Sequence, residues 1–242
     1  MNYLDTFLFV ALPYVAFVVF AVGLIYRRRK RGFELSSLSS QFLEGRTLFW
    51  GTVPFHVSLL LVFCGHLLTF LFPRATLLWN SQPARLIVLE VTAFTLGATA
   101  LLGLVTLIVR RLTNPRVRAV TTPMDVVIEV LLFGQVVLGC WVALGYRWGA
   151  SWFASDLSPY LWSLFRLAPE TEAVFALPWV IKLHVAGAFL IIFLVPFTRL
   201  AHFIVAPLDY LVRPYQQVIW NWNRKTIRSP QTAWSRARPR NN

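Results

Sequence analysis

His56, His66, His184 and His202 are the only histidines in a 242-residue chain of which 57% is apolar. They fall two by two into two apolar stretches, His56 with His66 and His184 with His202. An ionisable ring placed in hydrocarbon is costly and usually marks a functional interior. A single such histidine has a simpler reading, a hydrogen bond across to a neighbouring helix. Two on each of two helices is more specific. The low-spin iron of a b-type heme takes one imidazole on each face, and facing helices of a bundle supply them. The pattern therefore predicts two heme b groups, with His56, His66, His184 and His202 as axial ligands of the iron. Zinc is the competing metal, but its tetrahedral sites gather four close ligands, and these histidines lie at two depths without a Cys or Asp companion. No Cys-x-x-Cys-His sequence is present, which excludes covalent heme attachment. Cys64 and Cys140 read as small core residues.

The elements that must position these rings are membrane spans. A mean hydropathy of +0.61 with 14% charged residues excludes an ordinary soluble domain. A helix crossing a hydrocarbon core needs about 20 apolar residues. Five runs meet that length: Thr6 to Tyr26, Gly51 to Phe72, Leu86 to Val109, Met124 to Tyr146, and Trp179 to about Val205. The fold class predicted is an all-α integral membrane protein, a bundle of five transmembrane helices spanning residues 1–212, followed by a basic tail at 213–242. Met1 to Asp5 lacks the basic start and small-residue cleavage site of a secretory signal, so the first span is expected to stay in the mature protein.

The net charge of +13 raises nucleic acid as a partner, but position argues for the positive-inside rule and against nucleic acid. Of the 23 Lys and Arg, 18 lie in Arg27 to Arg46, Arg110 to Arg118 and Arg199 to Arg240. That asymmetry places the N-terminus outside and the C-terminus in the cytoplasm. The outer connection Arg147 to Pro178, rich in Trp and Leu, is expected at the interface as a short amphipathic piece. In the tail, Trp220, Trp222 and Trp234 interleave with arginines, which suits either anchoring on anionic membrane lipid or docking of a soluble partner.

Under this topology the two histidine-bearing spans are antiparallel. His56 then pairs with His202 near the cytoplasm, and His66 with His184 near the outer face. The axial separations, about 15 Å on the second span and about 27 Å on the fifth, do not match for straight helices. Tilt and a kink at Pro196 are expected to absorb the difference. Small residues near the ligands, Gly65 beside His66 and Gly187 after His184, suit close approach of a flat macrocycle, or ordinary helix packing.

Particular residues also resemble a known family, the γ or cytochrome b subunit of membrane-bound respiratory nitrate reductase. The resemblance rests on Pro54-Phe55-His56 with Gly65-His66, and on Pro115-Arg116-Val117-Arg118-Ala119 followed by Thr121-Thr122. It rests also on His184 with Pro196-Phe197-Thr198-Arg199-Leu200-Ala201-His202. It covers roughly residues 1–215. It implies five spans in the cell's inner (cytoplasmic) membrane, bound to an iron–sulfur subunit and a molybdenum catalytic subunit. It implies His66 and His184 for the distal heme, and His56 and His202 for the proximal one. It also implies oxidation of a quinol, menaquinol or ubiquinol, near the outer face, with electrons running inward to nitrate.

The resemblance places a basic residue at the outer start of the third span, where Arg85 stands and Lys is common. Arg keeps the charge but gives up a proton poorly, so its role would be polar anchoring at a quinol site that includes Gly65. Glu90, about one turn inward, reads as a proton relay or as an acid paired near Arg85. Arg199 and Arg111 at the cytoplasmic face suit heme propionates, although topology alone also puts arginines there. Two other functions fit the same residues. One is a diheme cytochrome b serving another quinone-linked complex, in sulfur-compound or disulfide reduction. The other is a heme-free transporter or anchor.

Overall fold

A computed structural model describes residues 3–30 and 46–203, all helical or in short connections, with no strand among them. The loop at 31–45 and the tail expected from residue 213 lie outside the described residues. Five helices are long and apolar enough to cross a membrane: Tyr3–Lys30, Thr47–Leu71, Pro83–Thr113, Pro123–Gly145 and Trp179–Phe197. Helices are what such runs must form, since a backbone group in hydrocarbon has no water to bond and must be satisfied within its own segment. We refer to them as spans one to five.

Polar residues set the boundaries. Span three starts at Pro83, where the missing N–H is harmless, and stops at Asn114, whose extended backbone breaks the ladder. The Asn114 side chain accepts from the Arg116 and Val117 amides and so starts the short turn Pro115–Ala119. Thr122 and Asp125 then form a reciprocal capping box, each side chain bonding the other's backbone amide, and open span four.

The spans pack in the spatial order two, three, four, five, one. Span two, which carries His56 and His66, and span five, which carries His184, form no packed interface with one another among the described residues. Span two rests on span three, and span five on spans one and four. The tightest contact is between spans two and three. A Cβ added to Gly103 would lie 2.7 Å from the Phe55 backbone nitrogen and 2.8 Å from the Gly51 carbonyl oxygen. Backbone cannot yield as a side chain can, so Gly103→Ala is expected to cost about 1–3 kcal/mol. Gly134→Ala, whose Cβ would meet nothing within 4 Å, should leave stability unchanged or slightly higher. Melting midpoints of the two variants in the same detergent check the contrast.

Two features depart from the sequence expectation. The outer connection is not a single short piece but a packed cap of several helical turns. It runs through Gly149–Trp152, a π turn at Phe153–Leu157, Ser158–Phe165 and Glu172–Phe175. Its Tyr160 and Leu164 are buried beside Phe9 of span one and Val180 of span five. Polar bonds fix it there. The buried Tyr160 hydroxyl donates to the Phe9 carbonyl at 2.8 Å, and burial pushes that phenol's pKa up, so it remains a donor. Trp162 and Ser158 donate to the Phe70 and Thr69 carbonyls, two of those left open at the end of span two.

Span five is the second departure. It does not continue as an α-helix to Val205: the α-helix ends at Leu194, Val195–Phe197 tightens into a 3-10 turn, and Thr198 is extended. A separate 3-10 turn, Arg199–Phe203, carries His202. Pro196 supplies the reason, because its ring has no N–H to donate and clashes with the preceding turn. The separation of about 27 Å assumed an unbroken helix and does not apply.

Candidate functional site

Breaking span five brings His202 to His56. Their ring centroids are 6.0 Å apart at an interplanar angle of 67°. Two imidazoles on opposite sides of one metal ion, each bonded at about 2 Å, would hold their centroids about 6 Å apart. The orientation of each ring is fixed from behind. His56 Nδ1 lies 2.9 Å from the Thr52 carbonyl, and His202 Nδ1 lies 2.7 Å from the Arg199 carbonyl. A carbonyl accepts only, so the proton sits on Nδ1 and Nε2 keeps its lone pair forward, free to bind a metal.

At the other end of span two, His66 repeats the pattern, with Nδ1 2.8 Å from the Val62 carbonyl. Phe153 of the outer cap meets its ring edge to face at 5.5 Å. His184, on span five, lies within electrostatic range of His66. It differs from the other three in that its Nδ1 is buried without a protein partner. Its ring lies against Gly139 of span four, where an added Cβ would come within 3.1 Å. Gln135, one turn earlier on span four, donates to the His184 carbonyl at 2.9 Å. A Cβ on Gly65 would meet nothing within 4 Å, so the backbone beside His66 is open to a flat group. Among the described residues no three His, Cys, Asp or Glu side chains converge as a tetrahedral site demands. These donors suit a group that takes one imidazole on each side.

The remaining sequence candidates sit at the two membrane faces. Arg85 is exposed and stacks over Trp79, its guanidinium carbon 5.1 Å from the ring centroid. Glu90 does not turn to Arg85. Its carboxylate accepts from the Ala150 amide at 3.2 Å, at the start of the outer cap, which gives it a bonding role that the sequence did not suggest. On the opposite face Arg111 pairs with Glu129 at 3.1 Å, and Arg199 pairs with Asp125 at 3.2 Å. Both candidate propionate partners are thus already held by acids of span four.

Sequence reading missed four residues that bear on the ligands: Gln135, Gly139, Phe153 and Asp125. Gln135 carried a signal, as the one amide side chain in the apolar run that follows Glu129 in span four. Asp125 carried another, standing three residues after Thr122 and before an apolar run, the mark of a capping box. Gly139 and Phe153 had none, because a glycine or an aromatic in such a sequence is unremarkable until its neighbour is known.

Five apolar helices, long enough to cross a membrane, with histidines on the second and fifth and on the turn after the fifth, define a multi-pass membrane protein. Residues 5–221 match the nitrate reductase gamma subunit family, and the chain belongs to that family. It is 31% identical over 222 residues to the respiratory nitrate reductase 2 gamma chain of Escherichia coli (strain K12), covering 90% of this chain and 98% of that one. It is 29% identical over 207 residues to the nitrate reductase gamma chain of Bacillus subtilis (strain 168), covering 84% and 93% respectively. It is accordingly a membrane subunit of a nitrate reductase complex.

Proposed function

We propose that this chain is the diheme cytochrome b subunit of a respiratory nitrate reductase. In this reading it oxidises menaquinol or ubiquinol near the outer face of the inner membrane and delivers the electrons to cytoplasmic partners. Those partners are an iron–sulfur subunit and a molybdenum subunit that reduces nitrate. The observation that carries the reading is the disposition of the histidines, two at each end of one bundle, with the His56 and His202 rings 6.0 Å apart. Bound heme b would supply one-electron transfer.

The chain's own residues do the rest. His56 and His202 would hold the proximal heme, and His66 and His184 the distal one. The Nδ1 bonds of His56, His66 and His202 to carbonyls fix three of the four rings before the cofactor arrives, so little order has to be gained there on binding. Arg85 would anchor a quinol oxygen with a fixed positive charge, its guanidinium kept planar against Trp79. Gly65 leaves room beside His66 for the quinol ring or the heme edge. Glu90, one turn inward, accepts from the Ala150 amide through Oε1, and its other carboxylate oxygen would take up a quinol proton without breaking that bond. Arg199 and Arg111 would each offer a propionate the donors not directed at Asp125 and Glu129. The positive-inside distribution puts this arginine-rich face, and the partners, in the cytoplasm.

The test is a purified complex mixed anaerobically with excess quinol and then with nitrate. The b-type absorption is expected to appear with quinol and to disappear with nitrate. Absorption that quinol cannot elicit, or that nitrate leaves unchanged, contradicts the reading.

A further inference from the structure

The segment that presents His202 is short and irregular, yet two residues from other spans hold it at both ends. From span one, Arg27 donates through Nη1 to the Pro196 carbonyl at 3.0 Å and to the Thr198 carbonyl at 2.7 Å. Pro196 has no amide hydrogen and disrupts the helix, so carbonyls at the break have lost regular helical partners, and a charged donor compensates them. Gly23, one turn before Arg27, makes the approach possible. A Cβ there would come within 2.7 Å of the Pro196 ring.

From the loop that opens span four comes the second hold. Asp125 is buried and already accepts from the Thr122 amide at 2.9 Å through Oδ2. Its Oδ1 pairs with Arg199 Nε at 3.2 Å, while Arg199 Nη2 donates to the Val120 carbonyl at 3.2 Å. The guanidinium is therefore fixed on two sides. The same residue's carbonyl orients the His202 ring through Nδ1 at 2.7 Å. Thr198 closes the turn between the two holds, donating from Oγ1 to the Val195 carbonyl and accepting from the Leu200 amide. A single chain of bonds thus runs from Asp125 through Arg199 to His202, and another from Arg27 to the residue before Arg199.

We propose that Arg27 and Asp125 are positioning residues for the proximal ligand, together setting where His202 stands and how its ring is turned. Neither touches the cofactor in this scheme; each acts through the Thr198–Arg199 backbone. The inference rests on the reading of His202 as a heme ligand. Outer-shell partners of ligating residues typically govern metal affinity by roughly 10- to 100-fold, and a ligand on a broken helix has little else to hold it.

The test uses the full complex with Arg27→Gln and Asp125→Asn, each assayed for heme transfer to excess apomyoglobin and for low-spin electron paramagnetic resonance. In both variants one heme of the two is expected to leave roughly tenfold faster or more, with its low-spin signal shifted. That component should be the one missing from His56→Ala. The second heme should keep its wild-type rate and signal, and so report an intact bundle. Unchanged release and unchanged signals in both variants overturn the proposal while leaving the diheme reading standing. Equal acceleration of both hemes also overturns it, since that would mark a general packing role. Wild-type protein that yields no heme at all removes the reading beneath it.

Discussion

Replacing His202 with Ala is expected to abolish electron delivery from quinol to nitrate, lowering turnover by roughly a hundredfold or more, while the outer end of the protein stays intact. His202 lies on the 3-10 turn Arg199–Phe203, outside the α-helical part of span five, and its ring faces His56. Removing it takes away one imidazole of the proximal site without leaving a cavity in a packed core, because the ring is not among the buried residues. The fold should therefore survive, with a melting midpoint close to wild type. Quinol should still reduce the distal heme, and addition of nitrate should no longer reoxidise it. Loss of both signals at once, or normal turnover, would contradict the assignment.

His66→Ala is expected to give the opposite pattern with a comparable loss of turnover. His66 sits at the outer end of span two, under Phe153, near His184 and beside the open Gly65 backbone. With the distal site gone, quinol should reduce little of the remaining heme, whereas dithionite, which does not depend on the quinol site, should reduce it fully. The two variants thus separate entry of electrons from their exit. If both blocked quinol reduction equally, the order of the two sites along the path would be wrong.

Much of this arrangement was legible in the sequence. Five spans followed from run length alone, because hydrocarbon imposes a length and a composition that no local packing can override. The association of His56 with His202 followed from antiparallel spans and needed no contact information. What the sequence did not disclose was how the fifth span accommodates it. Pro196 announced a disturbance, but a proline kink and a full break look alike in sequence. The outcome depends on whether something compensates the exposed carbonyls. Here Arg27, far away in the chain, does so.

How the outer connection packs was hidden for a related reason. Its aromatic residues suit an interface as well as a core, and only the bonds from Tyr160 to Phe9 and from Trp162 to Phe70 show how they are held against the spans. Glu90 illustrates the same limit. Its depth suggested proton transfer, while its observed partner, the Ala150 amide, lies 60 residues away.

The central claim is that four histidines hold two hemes in two pairs. Its most direct test is the reduced-minus-oxidised visible spectrum with pyridine hemochrome quantification, on purified wild type, His56→Ala and His66→Ala. Two b hemes are expected per wild-type chain and one in each variant, the missing component differing between the two. A folded, heme-supplied preparation with no b-type absorption, or two variants lacking the same component, would contradict it.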